Sequence, residues 1–223
     1  MDTGAPAADP IGLDPEVRHG VDWATYCRLR DDPANDRVRM TYLDGTLIMS
    51  PRYRHDSRSR RIYDIVRAVA VAWRIRFLVT GATTLRLEGR GPLGPVGKEP
   101  DEGFYLGDEV AAMVDEDDLD LSVVPPPSLV IEVDNTADSE AALPIYARIG
   151  VPEVWIYKVG DPSLRFLQLA DGRYQEIGRS LGLPRLTPSL VLEALEGRAK
   201  GMDDLEFSDW LDAWARALPE PPL

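Results

Sequence analysis

From Arg37 to Tyr42 and from Thr46 to Ser50 the chain reads as two strands turned at Asp44-Gly45, a dipeptide suited to a tight hairpin, with Pro51 closing the second strand. Asp22 to Arg30, just before, reads as a short helix. The period then changes. Ile62, Ile65, Val66, Val69 and Trp73 recur at helical spacing, with Asp56 or Ser57 as the cap and Arg58, Arg60, Arg61, Arg67 and Arg74 elsewhere around the same helix.

Phe77 to Glu88 is a β-type run, and Gly89 to Gly97 is a loop leading to a strand near Lys98 to Leu106. Asp115 to Asp120 is an acidic loop or a ragged helix end, and Pro125-Pro126-Pro127 brakes the chain before Leu129 to Asp134. That last segment is an apolar run delivering carboxylates at its end, the shape of a buried central strand. Pro144 suits a first helical turn and Gly150 the position past a helix end, so a short helix is predicted over Leu143 to Ile149. Val154 to Tyr157 is another buried strand. Leu164 to Leu169 and Arg173 to Ile177 form a hairpin at Asp171-Gly172, and Leu205, Trp210, Leu211, Trp214 and Leu218 predict a closing amphipathic helix.

The result is one α/β domain over residues 13–218, with a flexible segment at 1–12 and a loose Pro-rich tail at 219–223. No apolar run approaches the roughly 18 residues a membrane span needs, and the N-terminus has no signal-peptide pattern. The single cysteine, Cys27, can form neither an internal disulfide nor a thiolate metal site, which points to the cytoplasm.

Charge adds a contrast. The net charge of −13 argues against a protein that coats nucleic acid nonspecifically. Yet Arg52 to Arg76 holds eight Arg against two Asp, and Glu99 to Asp120 holds ten acidic residues and no basic one. A nuclease needs this pairing of a basic surface for the backbone and an acidic centre for a metal; two solvated faces of opposite bias give the same numbers.

Hydrolysis of a phosphodiester requires a nucleophile made from water and neutralisation of charge on the phosphorus oxygens, both of which Mg²⁺ provides when held by one or two carboxylates. Asp101 and Glu132 lie on two predicted strands that could be neighbours. Four segments then resemble the Uma-type restriction endonucleases of the PD-(D/E)XK superfamily: Asp44 to Pro51 followed by His55, Pro100-Asp101, Pro127 to Val133, and Tyr146 to Trp155. The resemblance runs from about Arg37 to Tyr157. It implies a restriction-endonuclease-like fold with a central mixed β-sheet flanked by helices, and metal ligation by Asp101 and Glu132, with Mg²⁺ or Mn²⁺ as the ion.

The sequence departs from that pattern at three places. The superfamily's lysine usually stands two residues beyond the glutamate, where Asp134 is found, and its Uma-type substitute stands four before the helix tyrosine, where Ala142 is found. Lys98 and Lys158 are the candidates to replace it. Thr46 occupies a position where the family often has glutamate, so a third carboxylate ligand is missing or comes from Asp44 or Asp134. Arg58, Arg60, Arg61 and His55 are the expected contacts to a nucleic-acid backbone, DNA being favoured over RNA.

Each expectation has a plainer alternative. Glu132 and Asp134 could be structural, paired with an Arg of the basic helix. His55 could be a helix cap or a surface residue, and Trp210 with Trp214 is a core or homodimer contact rather than a base-stacking platform. Gly89 to Gly94 matches G-x-G-x-x-G, but Pro92 and Pro95 prevent a phosphate-binding helix start, so it is a loop. Two functions remain: a Mg²⁺-dependent endonuclease, or a catalytically inactive nuclease-fold protein acting as a nucleic-acid-binding or protein-interaction module.

Overall fold

The structure, a computed structural model, describes residues 15–51, 57–89, 94–113, 121–134, 139–198 and 201–218. Its strands form two sheets. The larger is mixed, and its strands run β11 (Arg173–Ile177), β10 (Ser163–Ala170), β9 (Glu153–Lys158), β8 (Leu129–Asp134), β7 (Glu102–Leu106) and β4 (Phe77–Val79). Among the described residues only β8 and β9 pair in parallel; the chain passes between them through α3 (Leu143–Ile149). The smaller sheet is antiparallel, in the order β1 (Glu16–Arg18), β3 (Thr46–Pro51), β2 (Val38–Leu43), β6 (Val96–Lys98) and β5 (Leu85–Leu87).

Strand β8 is buried along its whole length, as a central strand covered on both faces must be. Alternation divides its side chains. Ile131 and Val133 face the helices α2 (Ser57–Ala72), α4 (Pro188–Arg198) and α5 (Asp204–Ala217), whose Ile65, Val191 and Leu211 complete that core. Trp155 of β9 stacks on Phe166 of β10 there, with ring centroids 4.0 Å apart. Val130 faces the other way, toward Tyr146 and Ile149 of α3 and toward Leu85 and Val96 of the smaller sheet. A third cluster lies beneath α1 (Trp23–Asp31), where Tyr26, Met40, Tyr42 and Leu47 meet.

Local chemistry matches the expected ends. Asp22 caps α1 by accepting from the Thr25 amide at 2.7 Å. Gly150 ends α3 with a positive φ of 90°, which a glycine adopts without strain, and its amide donates to the Tyr146 carbonyl. Asp203 and Glu206 form a reciprocal capping box at the start of α5.

Two predicted runs are each divided. Phe77 to Glu88 is β4 in the larger sheet and β5 in the smaller, separated by a turn in which Thr83 Oγ1 donates to the Thr80 carbonyl at 2.6 Å and Gly81 has φ +58°. Lys98 to Leu106 is likewise the end of β6 and the whole of β7, and Gly97 belongs to the strand rather than the loop. Pro100, which has no amide to give a ladder, stands at the crossing between sheets. His55 and Asp115 to Asp120 lie outside the described residues, as do the segments 1–12 and 219–223. No helix among the described residues is long and apolar enough to cross a membrane.

Candidate functional site

The two sheets meet where the chain crosses between them, and four of the five acidic residues buried among the described residues lie in or near that crossing, the fifth, Glu153, being held by Trp155, Ser180, Leu181 and Gly182. Glu99, Asp101, Glu132 and Asp134 are all buried. Antiparallel pairing sets Glu102 against Ile131, so the next step of the same register brings Asp101 alongside Glu132. Asp101 Oδ2 accepts from the Val133 amide at 2.7 Å, which fixes the carboxylate against β8. Its Oδ1 accepts from the Arg39 guanidinium.

Glu132 is 5% exposed, and its Oε1 lies 2.9 Å from Lys98 Nζ while also accepting from the Tyr146 hydroxyl. Lys98 donates in addition to the Glu99 carbonyl at 3.0 Å, and its ammonium lies 5.9 Å from the Tyr146 ring centroid. Register explains why these cations arrive together. Thr41 of β2 pairs with Lys98 of β6, and Arg39, two residues from Thr41, projects from the same face. Arg39 and Lys98 thus come from the smaller sheet, Asp101 from the turn that enters β7, Glu132 from β8 of the larger sheet, and Tyr146 from α3.

Burial dominates the electrostatics. It pushes the Glu132 carboxyl above its ordinary range; the Lys98 ammonium opposes this and Asp101 reinforces it. The Tyr146 hydroxyl is raised well above its usual value, first by burial and then by the Glu132 charge beside it, so it stays a donor. Glu102, next in sequence to Asp101, is raised to about 7 by partial burial and by the Asp101 charge.

The alternative of an Arg from the basic helix pairing Glu132 is not what the structure shows. The partners of Glu132 come from β6 and α3, because α2 packs on the opposite face of β8. Asp134 lies two residues along β8 on the face of Glu132, roughly 6.5 Å away at the strand rise. Lys158 is its register partner in β9, with an exposed side chain. Asp44 sits at the hairpin turn, where Arg148 of α3 grips both its oxygens at 2.7 and 3.0 Å.

Helix α2 carries the other candidates. Arg58 and Arg60 are exposed and Arg61 is half-buried. Arg60 and Arg61 line a cleft of about 470 Å³ between α2 and α5, together with Arg67, Arg198, Asp64 and Asp204. Trp210 and Trp214 stack with centroids 6.2 Å apart and pack against the helical core, and Gly197 of α4 leaves the space that Trp210 fills.

Sequence reasoning did not single out Arg39 or Tyr146 as site residues. Arg39 is 62 residues from Asp101 in the chain, and only the pairing of β2 with β6 brings it near. Its one visible signal is a charge in a strand beside Met40 and Tyr42.

Among the described residues no group of three or more His, Cys, Asp or Glu side chains is gathered as a metal cage. The pair of buried carboxylates on adjacent strands nonetheless fits a hard cation such as Mg²⁺, which commonly takes one or two protein carboxylates and fills its other positions with water or phosphate oxygens.

A mixed sheet with helices on one face and α3 on the other, its paired carboxylates at the meeting of β7 and β8, is a restriction-endonuclease-like architecture. The chain matches the Uma2 profile, described as "Putative restriction endonuclease", over residues 23–203, and it belongs to that family. Among curated proteins no match was found.

Proposed function

We propose that this protein is a Mg²⁺-dependent endonuclease that hydrolyses phosphodiester bonds in nucleic acid, with DNA as the favoured substrate and Mn²⁺ able to replace Mg²⁺. One observation carries the reading: a lysine ammonium lies 2.9 Å from the Glu132 carboxylate, beside Asp101, although neither usual lysine position of the family holds a base. Lys98 thereby brings back, from another strand, the positive group that phosphoryl chemistry uses to orient water and offset developing charge.

In this reading Asp101 and Glu132 would hold the metal, with Asp134, on the same face of β8, as a candidate third carboxylate. The bound cation supplies the Lewis acidity that activates water and offsets charge on the phosphate. Lys98 holds the Glu132 carboxylate in place and donates toward the attacking water; Lys158, at the exposed end of β9, is the reserve for that role. Arg58, Arg60 and Arg61 present the basic face of α2 to backbone phosphates, a sequence-independent contact that weakens with salt. Tyr146 holds Glu132 in one rotamer.

A second reading rests on Asp134 and Ala142. With no base at either motif position, the fold would serve as a catalytically inactive nucleic-acid-binding or protein-interaction module. Incubation of supercoiled DNA and of structured RNA with the purified protein and Mg²⁺ or Mn²⁺ separates the two. The endonuclease reading expects nicking that Asp101→Asn and Glu132→Ala both abolish. Metal-dependent cleavage that survives Asp101→Asn removes the assignment, and metal binding without cleavage of either substrate leaves the module reading.

A further inference from the structure

Asp101 is engaged on both oxygens. The Val133 amide takes Oδ2, and the Arg39 guanidinium takes Oδ1. The first contact is backbone and permanent. The second is made by a long side chain that is 29% exposed and therefore has a route toward solvent. At Glu132 the arrangement differs: Lys98 and Tyr146 both converge on Oε1, so their contacts leave Oε2 to meet a cation.

Resting on the reading above, we propose that Arg39 is the cation that balances Asp101 in the metal-free protein. It exchanges with the divalent ion at Oδ1, and its freed guanidinium becomes a phosphate contact at the site. Arg39 is thus a positioning residue for the metal ligand, and a substrate contact only once displaced.

The argument is one of charge. Four buried carboxylates, Glu99, Asp101, Glu132 and Asp134, crowd one corner of the fold, and a buried carboxylate left without a partner is strongly destabilising. Lys98 answers Glu132, and Arg39 answers Asp101. The charges of Glu132 and Glu99 also act on Arg39. A dication arriving at the same oxygen repels the guanidinium already held there: a second lone pair is free to take the ion, but two cations within a few ångströms in a buried corner disfavour each other. A planar, always-charged group that leaves a carboxylate is also well shaped for a phosphate, which it can contact in the same forked geometry.

The test is metal affinity rather than cleavage. Mg²⁺ and Mn²⁺ are titrated calorimetrically into wild type and Arg39→Gln, whose neutral amide can still donate to Asp101. Removing the competing cation should tighten metal binding roughly ten- to a hundredfold, the equivalent of one charge-assisted hydrogen bond no longer broken on entry. Equal or weaker binding by Arg39→Gln overturns the proposal while leaving the metal site intact. If neither folded protein binds metal, the endonuclease reading fails and this proposal with it. Should Arg39→Gln not fold, the wild type answers alone. The Arg39 Nε–Hε NMR signal, identified by its disappearance in Arg39→Lys, should move as metal is added, and a signal unchanged at metal saturation overturns the exchange.

Discussion

Lys98 and Glu132 belong to different sheets, yet Lys98 Nζ stands 2.9 Å from Glu132 Oε1. The contact exists because the chain leaves the smaller sheet at Lys98, turns through Glu99-Pro100-Asp101 and enters the larger sheet at Glu102. One crossing of three residues therefore delivers the ammonium, and the carboxylate beside it, to the same face of β8. In the proposed endonuclease reading, the lysine's role passes from the strand that carries the glutamate to the strand that precedes the aspartate.

Lys98→Met should separate binding from chemistry. The variant keeps Asp101 and Glu132, so calorimetry should still detect metal, while cleavage falls on the order of a hundredfold or more, as when a comparable electrostatic donor is removed. It should also lose about 3 kcal/mol in chemical denaturation, because Glu132 is left buried without its cation. Adding Glu132→Gln in that background should recover most of the stability and none of the activity. Full cleavage by Lys98→Met would return the role to Lys158 or to no lysine at all.

Tyr146→Phe removes only the hydroxyl that donates to Glu132. A hydrogen bond to a buried charged group contributes about 1.5–3 kcal/mol, and urea denaturation should show a loss of that size with an unchanged m value. A loss below about 0.5 kcal/mol would mean that Lys98 alone holds the carboxylate.

Much of this was legible in the chain because burial leaves a pattern. The uninterrupted apolar run before Glu132 marked β8, and Asp44-Gly45 marked the hairpin between β2 and β3. Helix α3 was bounded correctly by Pro144 and Gly150. Periodicity cannot, however, say which sheet a strand joins, and so the runs at Phe77 to Glu88 and Lys98 to Leu106 hid two changes of sheet. Helix α4 was missed because Leu190-Val191-Leu192 run together, and the buried stripe of Val191, Ala194 and Gly197 is made of mostly small residues. Strand β1 is exposed at all three positions and has no apolar signal to read. At the site, Asp101, Glu132 and Lys98 lie in or beside a motif, whereas the Arg39 contact depends on strand order, which no local pattern encodes.

The neighbour of Lys98 offers a test of how tightly β6 is held. A Cβ on Gly97 would stand 2.1 Å from the Tyr26 hydroxyl and 2.5 Å from the ring carbon that bears it, so α1 presses its buried tyrosine directly onto the strand. Gly97→Ala should cost about 1–3 kcal/mol through overpacking, and because Lys98 is the next residue, cleavage should fall with it. The Tyr26 hydroxyl is buried with no hydrogen-bond partner among the described residues. Tyr26→Phe alone should therefore be neutral or stabilising. In the Gly97→Ala background it should recover only part of the loss, since the ring carbon remains too close. Complete recovery in thermal melts would show that the hydroxyl alone was responsible.

Asp64, on the face of α2 that meets α5, should make stability depend on pH in a direction the structure specifies. Partial burial raises its carboxyl above the ordinary 3.8; Arg60 and Arg67 of α2 and Arg198 of α4 oppose the rise, and Asp204 of α5 adds to it. The folded protein therefore holds this proton more tightly than the unfolded chain does. The stabilisation is complete below the ordinary aspartate value and is lost as pH rises through the raised one. At about pH 7 wild type carries the whole cost of the ionised group, whereas at about pH 3 the carboxyl is protonated in both states and the cost is gone. Asp64→Asn, which cannot ionise, should thus melt higher than wild type at neutral pH, with the difference shrinking toward zero in acid. A variant that melts lower at neutral pH would mean that the three arginines outweigh burial, and that Asp64 serves as their counter-charge in the cleft.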